Sequence, residues 1–450
     1  MSVLPKEINY RSAISLPEGT QSNSIVASPV NGQTFQPSSI IQFDLVQRGY
    51  FVPESLYIRY RARVTGGTAG AQTNWIRATP AYTFFSRLET IVGSQVVESI
   101  QNYNQLCNML VNCRMNYAQK VGLANSFGYT IADTVANQGN FGLALASNGT
   151  GNLANGYNLV GATAAAPLNI SLACPLGSLL SNADHLLPLK FMPSVRIQLT
   201  VESLANAIQN TTGANAIANF ELQNVELCYD IIEFSPMVDQ AISSLGDGKI
   251  TIRSQSYLSS GVTVGVGSIG TNEFLFNQRL ASIKSLFTIL AGTDATKTNG
   301  FFDSVDITAN VAGNPGGDYQ WFVAGLPYPP RPLSTVLNKA AISQELSAAI
   351  GGYTQDPLSN HFAIHPVEFN FLNGSTTTQV AMGKFFPSCN VEKLSTNGAL
   401  LTGISSQGSP ISFRVSIGTA TTVAQVVQLI CLYDALLQID IPSRTLVVLQ

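Results

Sequence analysis

VELCYDIIEF (Val225–Phe234) and LICLYDALLQI (Leu429–Ile439) are two nearly continuous apolar runs that share a central Tyr-Asp pair, Tyr229-Asp230 and Tyr433-Asp434. Runs of this length and β-branched content read as strands covered on both sides. Each follows a second matched segment. Pro193-Ser-Val-Arg-Ile-Gln-Leu-Thr-Val201 precedes the first, and Pro410-Ile-Ser-Phe-Arg-Val-Ser-Ile417 precedes the second. One shared dipeptide is chance, but a shared order of elements is not. The two ends of the chain read as copies of one β-rich unit of about 200 residues, the size of a single sandwich domain.

Working outward, the same programme runs twice. Ile41, Phe43 and Leu45 alternate, as do Leu56, Ile58 and Tyr60, and both patterns have the period of a half-buried strand. Leu88–Val92 and Gln95–Ile100 flank Gly93-Ser94, a hairpin turn. A helix follows, with Tyr103, Leu106, Cys107, Leu110 and Tyr117 on one stripe. In the second unit, Phe274 and Phe276, then Ile283 and Phe287, repeat the opening pair. Tyr319–Val323 is a strand and LPYPPRP a Pro-rich turn. Ser334 then caps a helix that ends at Gly351. Residues 1–37 read as an extended polar arm, 38–236 as the first unit with a long loop insertion over 118–180, and 237–450 as the second. Within the insertion, Ala132–Pro167 has neither period and is expected to lie outside both cores. Helices between most strands are missing, so a parallel α/β sheet is excluded. The fold class is all-β with short helical insertions: two tandem eight-stranded antiparallel jelly rolls. Cys228, Ile231 and Ile232, with Leu429, Cys431 and Leu432, are expected in the two cores. Tyr229 and Tyr433 are expected at equivalent places, each followed by an Asp near a strand end.

Composition narrows the function. Of 450 residues, 45% are hydrophobic and only 11% charged, against about 25% charged in an ordinary soluble domain. Such a chain suits extensive permanent interfaces between subunits. A net charge of −3, from 23 Lys and Arg against 26 Asp and Glu, excludes a dense cationic surface for nucleic acid. The N-terminus lacks the basic and apolar regions of a secretory signal, and no stretch is long enough to span a membrane. Six scattered cysteines without a Cys-x-x-Cys pair read as buried thiols of a protein made in a reducing cytosol.

The chemical motifs fail one by one. Gly265-Val-Gly267-Ser-Ile-Gly270 has dinucleotide spacing, yet a strand-like Thr271–Phe276 follows where a helix is needed. His361 and His365 have zinc spacing, but Pro366 and the strand-like Val367–Phe371 exclude a helix. Asp184-His185 has no serine on a nucleophile elbow to serve. Arg59, Arg61 and Arg63 alternate on one strand face, as an anionic contact, a subunit salt bridge or a solvated face. No catalytic, cofactor-binding or metal-binding residue is assigned, and no enzyme activity is expected.

The tandem units and the two helix-bearing insertions, Tyr103–Tyr117 and Ser334–Ile350, carry a resemblance. So do HLLPLKFMPSVRIQLTV (His185–Val201) and SRLETIVGSQVVESIQNYNQLCNML (Ser86–Leu110). The chain resembles the double jelly-roll major capsid proteins of the tectivirus–adenovirus lineage, above all those of small DNA viruses of protists and algae. The resemblance implies a homotrimer, six rolls forming a pseudo-hexagonal capsomer that tiles an icosahedral virion shell, with the loops of one end as outer towers. It implies neighbouring capsomers, penton and minor capsid proteins as partners, and no sequence-specific nucleic acid. It leaves open an internal membrane beneath the shell. The competing readings are a β-sandwich adhesin or lectin of a fibre or spike, a carbohydrate-active sandwich enzyme, and a two-jelly-roll coat protein of a small RNA virus. No repetitive shaft, no concentration of acids and aromatics and no basic arm is visible to support them.

Overall fold

The computed structural model describes residues 19–67, 75–77, 79–115, 117–129, 131–132, 144–145, 157–159, 162–163, 166–209, 216–244, 248–292, 302, 304, 317–334, 339–351, 385–392, 401–417 and 425–450. In the first half two antiparallel sheets, one of them extended by the two-residue strands Thr34–Phe35 and Tyr50–Phe51, are built from eight main strands. They are β1 (Gln21–Ala27), β2 (Ile40–Asp44), β3 (Tyr57–Gly66), β4 (Phe85–Val92), β5 (Gln95–Gln101), β6 (Leu168–Pro175), β7 (Val195–Val201) and β8 (Ile217–Glu233). One sheet runs β1-β8-β3-β6 and the other β2-β7-β4-β5. The second half repeats them as β9 (Lys249–Val264), β10 (Gly270–Phe276), β11 (Ile283–Gly292), β12 (Asp318–Val323), β13 (Leu326–Ser334), β14 (Ser388–Asn390), β15 (Ile411–Ile417) and β16 (Gln425–Asp440). Their orders, β9-β16-β11-β14 and β10-β15-β12-β13, match strand for strand. Two tandem jelly rolls result. The matched segments of the sequence are β7 with β15 and β8 with β16.

Register shows the equivalence at residue level. Tyr229 lies opposite Ile25 of β1 and Tyr433 opposite Ser256 of β9, so both tyrosines hold the same place on the eighth strand. Both are buried. On β8 the inward residues Phe220, Leu222, Leu227, Tyr229 and Ile231 are buried, while Glu221, Gln223 and Glu226 face outward. β16 is covered on both faces, with 427–431 and 433–437 all buried. Asp434 is therefore deep inside a strand rather than near its end, whereas Asp230 is half-exposed. The core expectation holds for Ile231, Leu429 and Cys431, while Cys228 is buried on the opposite face of β8 from Leu227 and Tyr229, outside the sandwich core. Ile232 and Leu432 are corrections: both are half-buried, because a continuous apolar run does not reveal which face neighbouring elements cover.

Four further expectations change. The 1–37 arm is partly sheet, because Gln21–Ala27 pairs with Leu227–Glu233 and Thr34–Phe35 with Leu222–Gln223. A polar edge strand looks like a loop in sequence, since only one of its sides meets the sheet. LPYPPRP is not a turn but most of β13, paired with β12 and at the sheet edge. Proline is tolerated there because an edge strand has one ladder to miss. Ser334 ends that strand and so caps no helix. The 118–180 insertion contains β6, and within Ala132–Pro167 Leu159 and Ala162 are buried in the core. The remainder of Ala132–Pro167, apart from short paired segments such as Tyr157–Asn158, lies mostly outside the described residues.

Among the described residues, three helices of eight residues or more sit at the ends and the join of the rolls. α1 (Tyr103–Arg114) follows β5, α2 (Pro236–Ser243) joins the rolls, and α3 (Lys339–Ala349) follows β13, with Gly351 at φ +96° behind it. α1 is buried on almost every side, including Asn104, Gln105, Asn108 and Asn112. Its amides are matched: Asn104 donates to Glu202 (2.8 Å) and Asn112 to Asn108 (3.0 Å).

The alternating directions within each sheet fix where the connections fall. The strand ends that bound the connections after the first, third, fifth and seventh strands of a roll lie at one end, and those that bound the rest at the other. The first group includes 102–167 and 335–387, the two longest. The opposite end has tight links, such as Gly93-Ser94 and Ala324-Gly325. Close packing is evident beside β11. Ile404 and Ile283 exchange backbone hydrogen bonds of 2.9 and 2.7 Å, and a side chain on Gly403 would collide with the Ile283 backbone carbonyl. Gly403→Ala is expected to lower the unfolding midpoint by about 1–3 kcal/mol of stability, the scale of overpacking. A denaturant melt unchanged from wild type would contradict this.

Candidate assembly interface

The junction between the rolls is built from edge strands. β5 closes one sheet of roll one and β9 closes one sheet of roll two. They lie side by side without ladder pairing. The Ser256 hydroxyl donates to the Glu98 carboxylate, and three residues on Ser259 donates to the Gln101 carbonyl. Matching steps of three on both strands mean that they run in the same sense. Both rolls therefore point the same way, and their long-loop ends coincide. At that end Asn108 of α1 donates to the Phe302 carbonyl of roll two (3.3 Å). Towards the other end, Ser254 donates to the Leu179 carbonyl and Asn182 to the Gln255 carbonyl (3.0 Å). The Asp184 amide donates to the Arg253 carbonyl (2.9 Å), and the Arg253 amide returns a bond to the Asp184 carboxylate (3.1 Å).

Glu98 is the centre of this junction and fully buried. Besides Ser256, its carboxylate accepts from the Thr90 hydroxyl (2.8 Å) and the Leu179 amide (2.7 Å). Burial pushes its pKa up to about 7, and the three donors hold it from going higher. Tyr433 of roll two is raised by burial, and the Glu98 charge adds to the rise. Tyr257 of β9 is raised by burial and held back by Arg114 of α1. A second buried carboxylate, Asp434, accepts from Ser282 (2.9 Å) and from the amide and hydroxyl of Thr402 (both 3.0 Å). Arg253 and Lys284 stand 3.7 and 3.8 Å from its other oxygen, and Lys284 also pairs with Glu392 at 3.2 Å. Arg253 thus links the roll-two interior to the junction. These groups orient one roll on the other and expose no nucleophile.

The sequence motifs fall elsewhere. Gly265, Gly267 and Gly270 form the exposed turn from β9 to β10, with Gly267 at φ +82° and Gly270 at φ +78°. A strand follows, as expected. His361 and His365 lie outside the described residues. His185 meets Asp184 at 2.7 Å in an exposed position, and Asp184 is a strut of the junction rather than part of a triad. Arg59 and Arg63 sit on the outer face of β3, bonded to Glu226 and Glu221 of β8 at 2.6 Å each. The arginine row is thus largely neutralised within its own sheet, with the exposed Arg61 between. The six cysteines are all buried free thiols. Sequence reading missed Glu98, because Gln95–Ile100 reads as one arm of a hairpin, where a carboxylate is expected on the solvent side. The usable signal was Ser254, Ser256 and Ser259, small hydroxyl residues repeated along a strand where side chains become buried.

In fold the chain is similar to the PBCV-1 virus capsid, with a TM-score of 0.58 at 12% identity, covering 96% of this chain and 97% of that one. It is similar to the Faustovirus major capsid protein, with a TM-score of 0.58 at 11% identity over 93% and 90% of the two chains. It is also similar to the mavirus major capsid protein, with a TM-score of 0.52 at 10% identity over 100% and 95%. No protein-family model matches the chain, and no curated protein matches it by sequence. The shared feature is the double jelly-roll fold, end to end.

Proposed function

We propose that this chain is a major capsid protein that self-associates into trimeric, pseudo-hexagonal capsomers tiling an icosahedral shell. The observation that carries this is the parallel, side-by-side setting of the two rolls by the Glu98–Ser256 and Gln101–Ser259 contacts. One chain then fills two adjacent positions of a six-position ring, and three chains complete it. The coincident long-loop ends supply a single decorated surface, the outer one of the block. Low charge supports broad interfaces between copies. On this reading the chain acts in the virion without catalysis, and its partners are further copies, neighbouring capsomers, and penton and minor capsid proteins.

Negative-stain images and light scattering of purified protein test the reading. Hexagonal blocks with the mass of three chains, or closed shells, are the expected result. Isolated two-lobed heads with the mass of one chain at micromolar concentration would overturn it.

A further inference from the structure

Inside the chain, the fifth strand of roll one (β5) docks beside the first strand of roll two (β9). The matching surfaces at the outer ends of the chain are unused: the first strand of roll one (β1) and the fifth strand of roll two (β13). Both are sheet edges. Both expose apolar side chains, with Val26 51% and Leu326 58% exposed and Pro327, Pro330 and Pro332 also outside. We propose that β13 of one copy docks beside β1 of the next, in the manner of β5 beside β9, and that this is the contact closing the ring. This contact rests on the trimer reading and gives it its surfaces.

The ladder fixes which residues meet. Ile25 stands opposite Tyr229 as Ser256 stands opposite Tyr433, so Asn23, Ile25 and Ser28 hold the places of Ser254, Ser256 and Ser259. Val26 falls between the last two and faces the C-terminal part of β13, around Pro332. The chemistry of the two edges fits the same kind of contact. Pro327, Pro329, Pro330 and Pro332 have no N–H, so β13 cannot extend into a continuous sheet with another strand. It offers carbonyl acceptors and apolar ring surface. Within the chain the contact also works without a ladder, through hydroxyls of β9 donating to carbonyls of roll one. Asn23 of β1 and Ser28 just beyond it supply donors and Val26 supplies apolar surface, while Ser24 is already engaged with Asp230 at 2.6 Å. Each copy offers one free first strand and one free fifth strand. The contact is therefore head-to-tail, the kind that closes into a ring rather than a two-fold dimer.

Three variants test the assignment by light scattering and sedimentation: Val26→Asp on β1, Pro332→Asp on β13, and Met237→Asp on α2, where Met237 is 82% exposed. A charge desolvated in a contact without a partner weakens association by roughly a hundredfold or more. Val26→Asp and Pro332→Asp are each expected to give folded monomers at concentrations where wild type and Met237→Asp stay trimeric. Thermal melts confirm the fold, and Val26→Ser and Pro332→Ser, expected to weaken the trimer in the same order, replace any variant that does not fold. A trimer as tight as wild type in either edge variant would overturn this contact and leave the trimer reading standing. A monomeric wild type would remove both.

Discussion

Leu429→Asp is expected to yield no soluble, folded protein. Leu429 is fully buried on β16, between Ser260 of β9 and Thr288 of β11. Both neighbouring strands and both faces are closed there, so a carboxylate finds neither water nor a counter-charge. Burying an unpaired charge costs more than the whole net stability of an ordinary domain, about 5–15 kcal/mol. Leu429→Ala removes packing only and is expected to lose about 2–5 kcal/mol. The control is Leu432, three residues on, half-buried and packed against the rim of the core. Leu432→Ala should cost clearly less than Leu429→Ala in the same denaturant melt. Equal losses at the two positions would mean that β16 is not faced as described.

That comparison also shows how far the sequence reaches. The seventh and eighth strands of each roll were legible because they lie at sheet centres, where every ladder is paired and the apolar letters run almost unbroken. The edges were not. Four of the seven residues of β1 are polar and four of the nine of β13 are proline, and neither carries a strand pattern, because an edge strand is fixed by one neighbour and answers to solvent on its other side. Leu432 and Leu429 are the same letter in the same run, and only the placement of other elements separates them. The junction was hidden for a related reason. Glu98 and Ser256 are 158 positions apart, and nothing local to either marks a carboxylate that stays buried.

Glu98 makes the stability of the roll-to-roll junction depend on pH. Its folded pKa of about 7 lies above the ordinary value of 4.5, so the folded protein binds the proton more tightly than the unfolded chain. The sign follows: the contribution is fully present below about pH 4.5 and is lost as pH rises through about 7. A difference of that size corresponds to about 3 kcal/mol. Glu98→Gln keeps an oxygen for the Ser256 hydroxyl and the Leu179 amide and cannot ionise. It should therefore be more stable than wild type at pH 8 by about that amount and nearly equal to it at pH 5. Taking the difference between the two proteins at each pH removes the contribution of other acids, Glu345 included. Tyr433, the ionisable side chain of roll two beside Glu98, stays neutral throughout this range because burial raises it further. Glu98→Ala should be worse than Glu98→Gln at every pH. It leaves the Thr90 and Ser256 hydroxyls and the Leu179 amide without their acceptor, at about 1–3 kcal/mol for each group that stays buried. A wild-type minus Glu98→Gln difference that stays flat from pH 5 to 8 would show that the carboxylate is ionised throughout. The junction would then be held by a charge that its three donors alone suffice to stabilise.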